Sequence, residues 1–61
     1  MSDSIRYVVW RQLVGRPWEM IGSPVVLVSA KRDAADRQAR AKAIGSGYSY
    51  YWFPEGTDPN D

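Results

Sequence analysis

Cysteine and histidine are both missing from this 61-residue chain. Their absence excludes disulfide staples and the usual zinc and iron ligand sets. It also removes the side chains most often used as nucleophile or general base near neutral pH. Lack of cysteine fits a reducing compartment. Long apolar runs are missing too: the longest, VVLV at residues 25–28, falls far short of the roughly 20 residues that cross a bilayer. The opening MSDSIRYVVWRQ has neither the basic start nor the apolar core of a secretory signal. The expectation is a soluble, cytoplasmic protein. A domain this small hides only about 60% of the surface its unfolded chain exposes. Without staple or metal it must rely on bulky packing or on a partner.

The charge is nearly balanced, with eight Lys and Arg against seven Asp and Glu, but it is unevenly placed. Every basic residue lies between Arg6 and Lys42. Asp3, Glu55, Asp58 and Asp61 sit at the two ends, leaving only Glu19, Asp33 and Asp36 within the basic stretch. Most of the cations are Arg, the side chain suited to bidentate pairing and stacking. Such a body suits an anionic partner, and it equally suits the ordinary need of a small domain for surface charge.

What the chain has in quantity is aromatic rings, and YSYYWF at residues 48–53 places five of them in six positions. A strand alternates its side chains between two faces, so one buried face can use only about half of these rings. Upstream, SIRYVVWRQL at residues 4–13 predicts a first strand and WEMIG a second, with a hairpin loop at 14–17 carrying Gly15 and Pro17. Gly22-Ser23-Pro24 interrupts the second strand, and VVLV reads as an extended segment leading into a helix. Ser29 is the candidate N-cap. AKRDAADRQARAKAI then carries strong helix formers, and Gly45 stands where a C-terminal stop is needed. Ala35, Ala39 and Ala43 recur at i, i+4, i+8. A helix this rich in alanine buries little area by itself but can approach a sheet bearing large rings closely. Pro54 ends the third strand.

The fold class expected is therefore α+β: a β-β-α-β domain over residues 1–54, with a flexible acidic tail at 55–61. The sheet is mostly antiparallel, its preferred strand order is 2-1-3, and one helix lies on one face. A third strand lying parallel to the second is the alternative topology. Tyr7, Val9, Tyr51 and Phe53 are assigned beneath the helix, and Trp10, Tyr50 and Trp52, joined by Trp18, to the uncovered face. Apolar alternation alone cannot fix that facing. Two ring-bearing faces and one helix leave an aromatic patch that marks an interaction site, unless cross-strand pairing with the tail folded over it closes the face.

No set of catalytic roles assembles, so no enzyme, metal or cofactor is expected. Asp33 and Asp36 at i, i+3 read as a solvated face balanced by Arg37 and Arg40. The expected function is a small non-enzymatic module that binds a larger protein through Trp10, Trp18, Tyr50, Trp52, Arg6 and Arg11. A structural homodimer is one alternative. Another is a single-strand nucleic-acid binder that stacks bases on the rings and holds phosphates with Lys31, Arg32, Arg37, Arg40 and Lys42. Against the latter, the Lys/Arg-Gly-aromatic motif of such sheets is missing. The layout of YVVWRQ, the WEMIG return strand, the Ala/Arg helix and the aromatic last strand resembles the short β-β-α-β accessory proteins often carried by tailed bacteriophages and mobile elements. Some of those block a host enzyme or defence complex, and the resemblance implies an inhibitor-type role without assigning any residue.

Overall fold

The computed structural model describes residues 5–61; Asp3 and the expected strand start at Ser4 lie outside them. Four elements follow in order: β1 (Tyr7–Leu13), β2 (Glu19–Met20), α1 (Leu27–Ile44) and β3 (Tyr48–Pro54). The sheet has the order β2-β1-β3, and both pairings are antiparallel. The β-branched and aromatic segment YVVWRQL therefore takes the central position, where both flanks of its backbone are bonded. No described helix is long and apolar enough to cross a membrane.

The hairpin closes at Gly15, whose φ of 81° lies in the left-handed region that favours glycine, and the Arg16 N–H donates to the Leu13 carbonyl at 2.9 Å. β2 is shorter than WEMIG suggests. After Met20, the Ile21 N–H donates to the Val9 carbonyl (3.1 Å), and the chain then breaks at Ser23-Pro24. It returns at Val25, which exchanges two backbone hydrogen bonds with Tyr7, at 2.7 and 2.8 Å.

That last rung sets where the helix begins. With Val25 pinned to the sheet, the chain rises directly from Val26, which caps α1 with no side-chain hydrogen bond. The expected cap, Ser29, instead lies inside the first turn, its N–H donating to the Val26 carbonyl at 3.1 Å. Tertiary pairing thus overrides cap chemistry. The other end follows the sequence: Gly45 is left-handed (φ 67°), its N–H donates to Lys42 and that of Ser46 to Ala41, as in a Schellman motif.

Two expectations about facing are corrected. The buried stripe of α1 is Ala30, Ala34 and Ala41, whereas Ala35, Ala39 and Ala43 are exposed. At 100° per residue, positions 30, 34, 38 and 41 share one stripe, so the inward stripe contains Gln38. A polar residue at its centre conceals it from an apolar pattern. In the sheet, Val9 stands opposite Trp52 and Arg11 opposite Tyr50, and Trp10 stands opposite Tyr51. Opposed residues share a face, so Tyr7 and Val9 lie beneath the helix with Tyr50 and Trp52, not with Tyr51 and Phe53. Both ring sets are apolar, and only the pairing register distinguishes them.

The complementarity of small and large side chains is present. Ala30 (0% exposed) and Ala34 sit on Val9, with Tyr7, Ile21, Val25, Tyr50 and Trp52 packed around them. Ala30→Leu or Ala34→Leu should each destabilise the fold by about 1–3 kcal/mol through overpacking. Ala39→Leu should stay within about 0.5 kcal/mol. Urea unfolding of the three variants distinguishes this stripe from the one formed by Ala35, Ala39 and Ala43.

Candidate functional site

The sheet face away from the helix is largely closed by the chain itself. Trp10 is only 8% exposed and Val8 only 4%, although α1 lies on the other side. Trp18 and Phe53 meet edge-on with ring centroids 5.3 Å apart. Trp18 immediately precedes β2 and Phe53 lies in β3, the strands on either side of β1, so their contact spans the central strand. Residues 55–61 leave β3 at Pro54 and reach the opposite edge of the sheet. There Asn60 Oδ1 accepts from the Trp18 N–H (2.7 Å) and Asn60 Nδ2 donates to the Trp18 carbonyl (3.0 Å). The Trp10 Nε1–H is buried without a hydrogen-bond partner among the described residues, and its ring serves as packing. Tyr51 and Met20 stay open on this side.

The residues expected to form one partner-binding face are thus divided. Trp10 is enclosed, Trp18 forms part of the roof, and Tyr50 and Trp52 lie on the helix side. Arg6 is exposed, and its carbonyl accepts from the Glu55 N–H at 2.7 Å. Arg11 donates from Nε to Glu19 Oε1 at 2.8 Å and lies 4.5 Å from the Tyr48 ring centroid. The hydrogen bond to Glu19 raises the Arg11 pKa above its already high ordinary value, so this cation does not titrate at accessible pH. Of the helix cations, Arg37 is paired with Asp33 (3.1 Å). Lys31 and Arg32 stand together near the helix start, and Arg40 and Lys42 lie toward its end.

An apolar opening remains on the helix side. α1 starts on the β2 flank of the sheet, at the Tyr7–Val25 rung, and by Gln38 it has reached the outer edge of β3. Gln38 Oε1 accepts from the Tyr50 N–H (2.8 Å) and its Nε2 donates to the Tyr48 carbonyl (3.2 Å). The helix therefore runs across the sheet, and its N-terminal half diverges from β3. A groove of about 660 Å³ opens between them. Its walls are Leu27, Val28, Ala34 and Ala35 of the helix and Tyr50 and Trp52 of the strand; Lys31 and Arg32 form its charged rim, with no carboxylate in the lining. The Lys31 ammonium lies 5.9 Å from the Trp52 ring centroid, within cation–π range. Val28 is 63% exposed, and Val26 and Leu27 are also open. The first helical turn thus presents three apolar side chains to solvent.

Sequence reasoning found the rings of this groove but not its aliphatic wall. VVLV reads as an extended segment leading into the helix, yet Leu27 and Val28 already belong to the first turn of α1. The available signal was its position after Pro24, where no third layer exists to bury it.

The carboxamides of Gln38 and Asn60 play the same part at opposite edges of the sheet. Each pairs with one outward N–H and one outward carbonyl, as a neighbouring strand would. Gln38→Leu should cost about 1–3 kcal/mol, because two half-buried backbone groups lose their partner. It should also accelerate hydrogen exchange at the Tyr50 amide. Asn60→Ala, at a more exposed edge, should cost only about 0.5–1.5 kcal/mol, read by urea unfolding, and should change Trp18 fluorescence.

Comparison with known proteins returns no match, whether to a family model, a curated protein or a solved structure, so the resemblance to phage accessory proteins gains no support and any functional reading rests on this geometry.

Proposed function

We propose that the chain is a non-enzymatic protein-interaction module and that it docks through the groove between α1 and β3. The observation that carries this reading is the solvent-facing apolar first turn of the helix beside half-buried Tyr50 and Trp52. Exposed aliphatic side chains contiguous with aromatic rings are what a docking surface requires, and a chain this small has little core to spare for them. The groove replaces the uncovered sheet face as the candidate surface, because the latter is roofed by Trp18 and Phe53. Its volume falls within the range of recognition pockets, about 300–1,000 Å³.

Nucleic-acid binding is the weaker alternative. Trp52 and Tyr50 with Lys31 and Arg32 would supply stacking and phosphate contacts. However, the groove wall is aliphatic, and its one amide, Gln38, is engaged with the strand backbone, so few polar groups are left to read base edges.

A photo-crosslinking residue at position 28 should form covalent adducts with a protein in a nuclease-treated native lysate. The same residue at position 14, which is even more exposed but far from the groove, should not. Val28→Asp should lower capture by about tenfold or more while leaving the fold intact, since an acid in the first turn suits the helix dipole. Equal adducts from the two positions, or full capture by Val28→Asp, would reject the groove.

A further inference from the structure

Resting on the reading of the groove as a docking surface, we infer that its occupant is an acidic amphipathic α-helix of a partner protein, laid alongside α1 over Tyr50 and Trp52. Four observations lead to a helix of this chemistry.

The first is width. Three strands spaced about 4.8 Å apart make a layer wider than one helix of about 10 Å diameter can cover. Because α1 crosses the sheet, it leaves a wide apolar wedge on the β3 side of its N-terminal half and a smaller, arginine-lined opening beside its C-terminal half, at Arg11, Arg37, Arg40 and Ile44. The second is the wall. Leu27, Val28, Lys31, Ala34, Ala35 and Gln38 follow helical spacing and form a continuous stripe about three turns long. Large side chains stand at one end, and small ones at the centre permit close approach of a second helix axis.

The third is the state of the strand edge. Adding an extended segment to β3 would need its outward backbone groups free. Gln38 already holds the Tyr48 carbonyl and the Tyr50 N–H. Tyr51 and Trp52 stack on each other at 4.4 Å although they start from opposite faces of the strand, and Pro54 has no N–H to offer. The occupied rung disfavours strand addition at this edge, while the groove above it accepts side chains. The fourth is charge. Lys31 and Arg32 are the charged groups in the lining, with no carboxylate beside them there, so carboxylates flanking the apolar stripe of the incoming helix would be matched and basic ones repelled.

The test uses three synthetic peptides and the full chain. The probe is a hydrocarbon-stapled helix of about four turns, with leucines at i, i+4 and i+7 and glutamates beside them. One control has the same composition, interrupted by proline so that it stays extended. The other is the stapled helix with lysine in place of glutamate. Binding is read by tryptophan fluorescence and by amide shifts of Trp52 and Ala35. The stapled acidic helix should bind at least about tenfold more tightly than either control. Ala35→Glu should abolish that binding. Ala39→Glu, also on the exposed part of α1 but outside the groove, should leave it unchanged. Lys31→Glu combined with Arg32→Glu should reverse the preference toward the lysine peptide.

Preferential binding of the extended control, still blocked by Ala35→Glu, would overturn the helical occupant and leave the groove standing. Binding that ignores Ala35→Glu, or no binding of the stapled helix at all, would overturn the inference. Sedimentation that shows a dimer with the Ala35 amide shifted by self-association would identify a second copy as the occupant and would also overturn it.

Discussion

A single helix has to serve a three-stranded sheet, and most of the structure follows from that shortage. A layer of three strands exceeds the width of one helix, and alanines at the contact bring the helix so close that it covers little beyond Val9 and its neighbours. What α1 does not reach must be closed by other means or left open. The far face is closed by rings that meet over β1. The two edges are each closed by a side-chain carboxamide. The apolar wedge beside β3 is left without a cover.

The energetic logic is consistent across these solutions. A chain without cysteine or metal draws its stability from area buried per residue, and aromatic side chains supply more of it than any others. Trp18 and Phe53 provide a roof for Val8 and Trp10 with no second helix. Outward strand groups are costly to bury unpaired and hazardous to expose. Gln38 and Asn60 answer both problems locally, since a primary amide carries one acceptor and a pair of donors in the geometry of a peptide unit. The helix N-terminus is the exception. It has neither side-chain cap nor first-turn acid, and it exposes Val26, Leu27 and Val28. A local sequence choice that conflicts with stability is more readily understood where a second molecule completes the packing.

Much of the architecture could be read before any coordinates. The β-branched and aromatic run at the start, the breakers at Gly15, Pro17 and Pro24, the alanine-rich helical stretch and Gly45 gave the element order and the 2-1-3 antiparallel sheet. The candidate site was legible only in part. Tyr50 and Trp52 stood out as rings, but their placement with Tyr7 and Val9 depends on register, and two equally apolar faces carry no information about register. The groove's aliphatic wall was hidden because VVLV has the composition of a buried segment whether or not anything lies over it.

By itself the sequence determined which residues form strands and helix, since propensity, breakers and the left-handed glycine are local properties of the chain. It also determined that packing would set small against large. Only the tertiary structure decided which alanines face inward, because Gln38 enters the buried stripe through hydrogen bonds to a strand ten residues away. The structure likewise decided which rings are enclosed, because that depends on the pairing of β1 with β3 and on Trp18 reaching across β1 to Phe53. Long-range contacts of this kind leave no periodic trace in the chain, and they are what moves the open surface from the bare sheet to the groove beside β3.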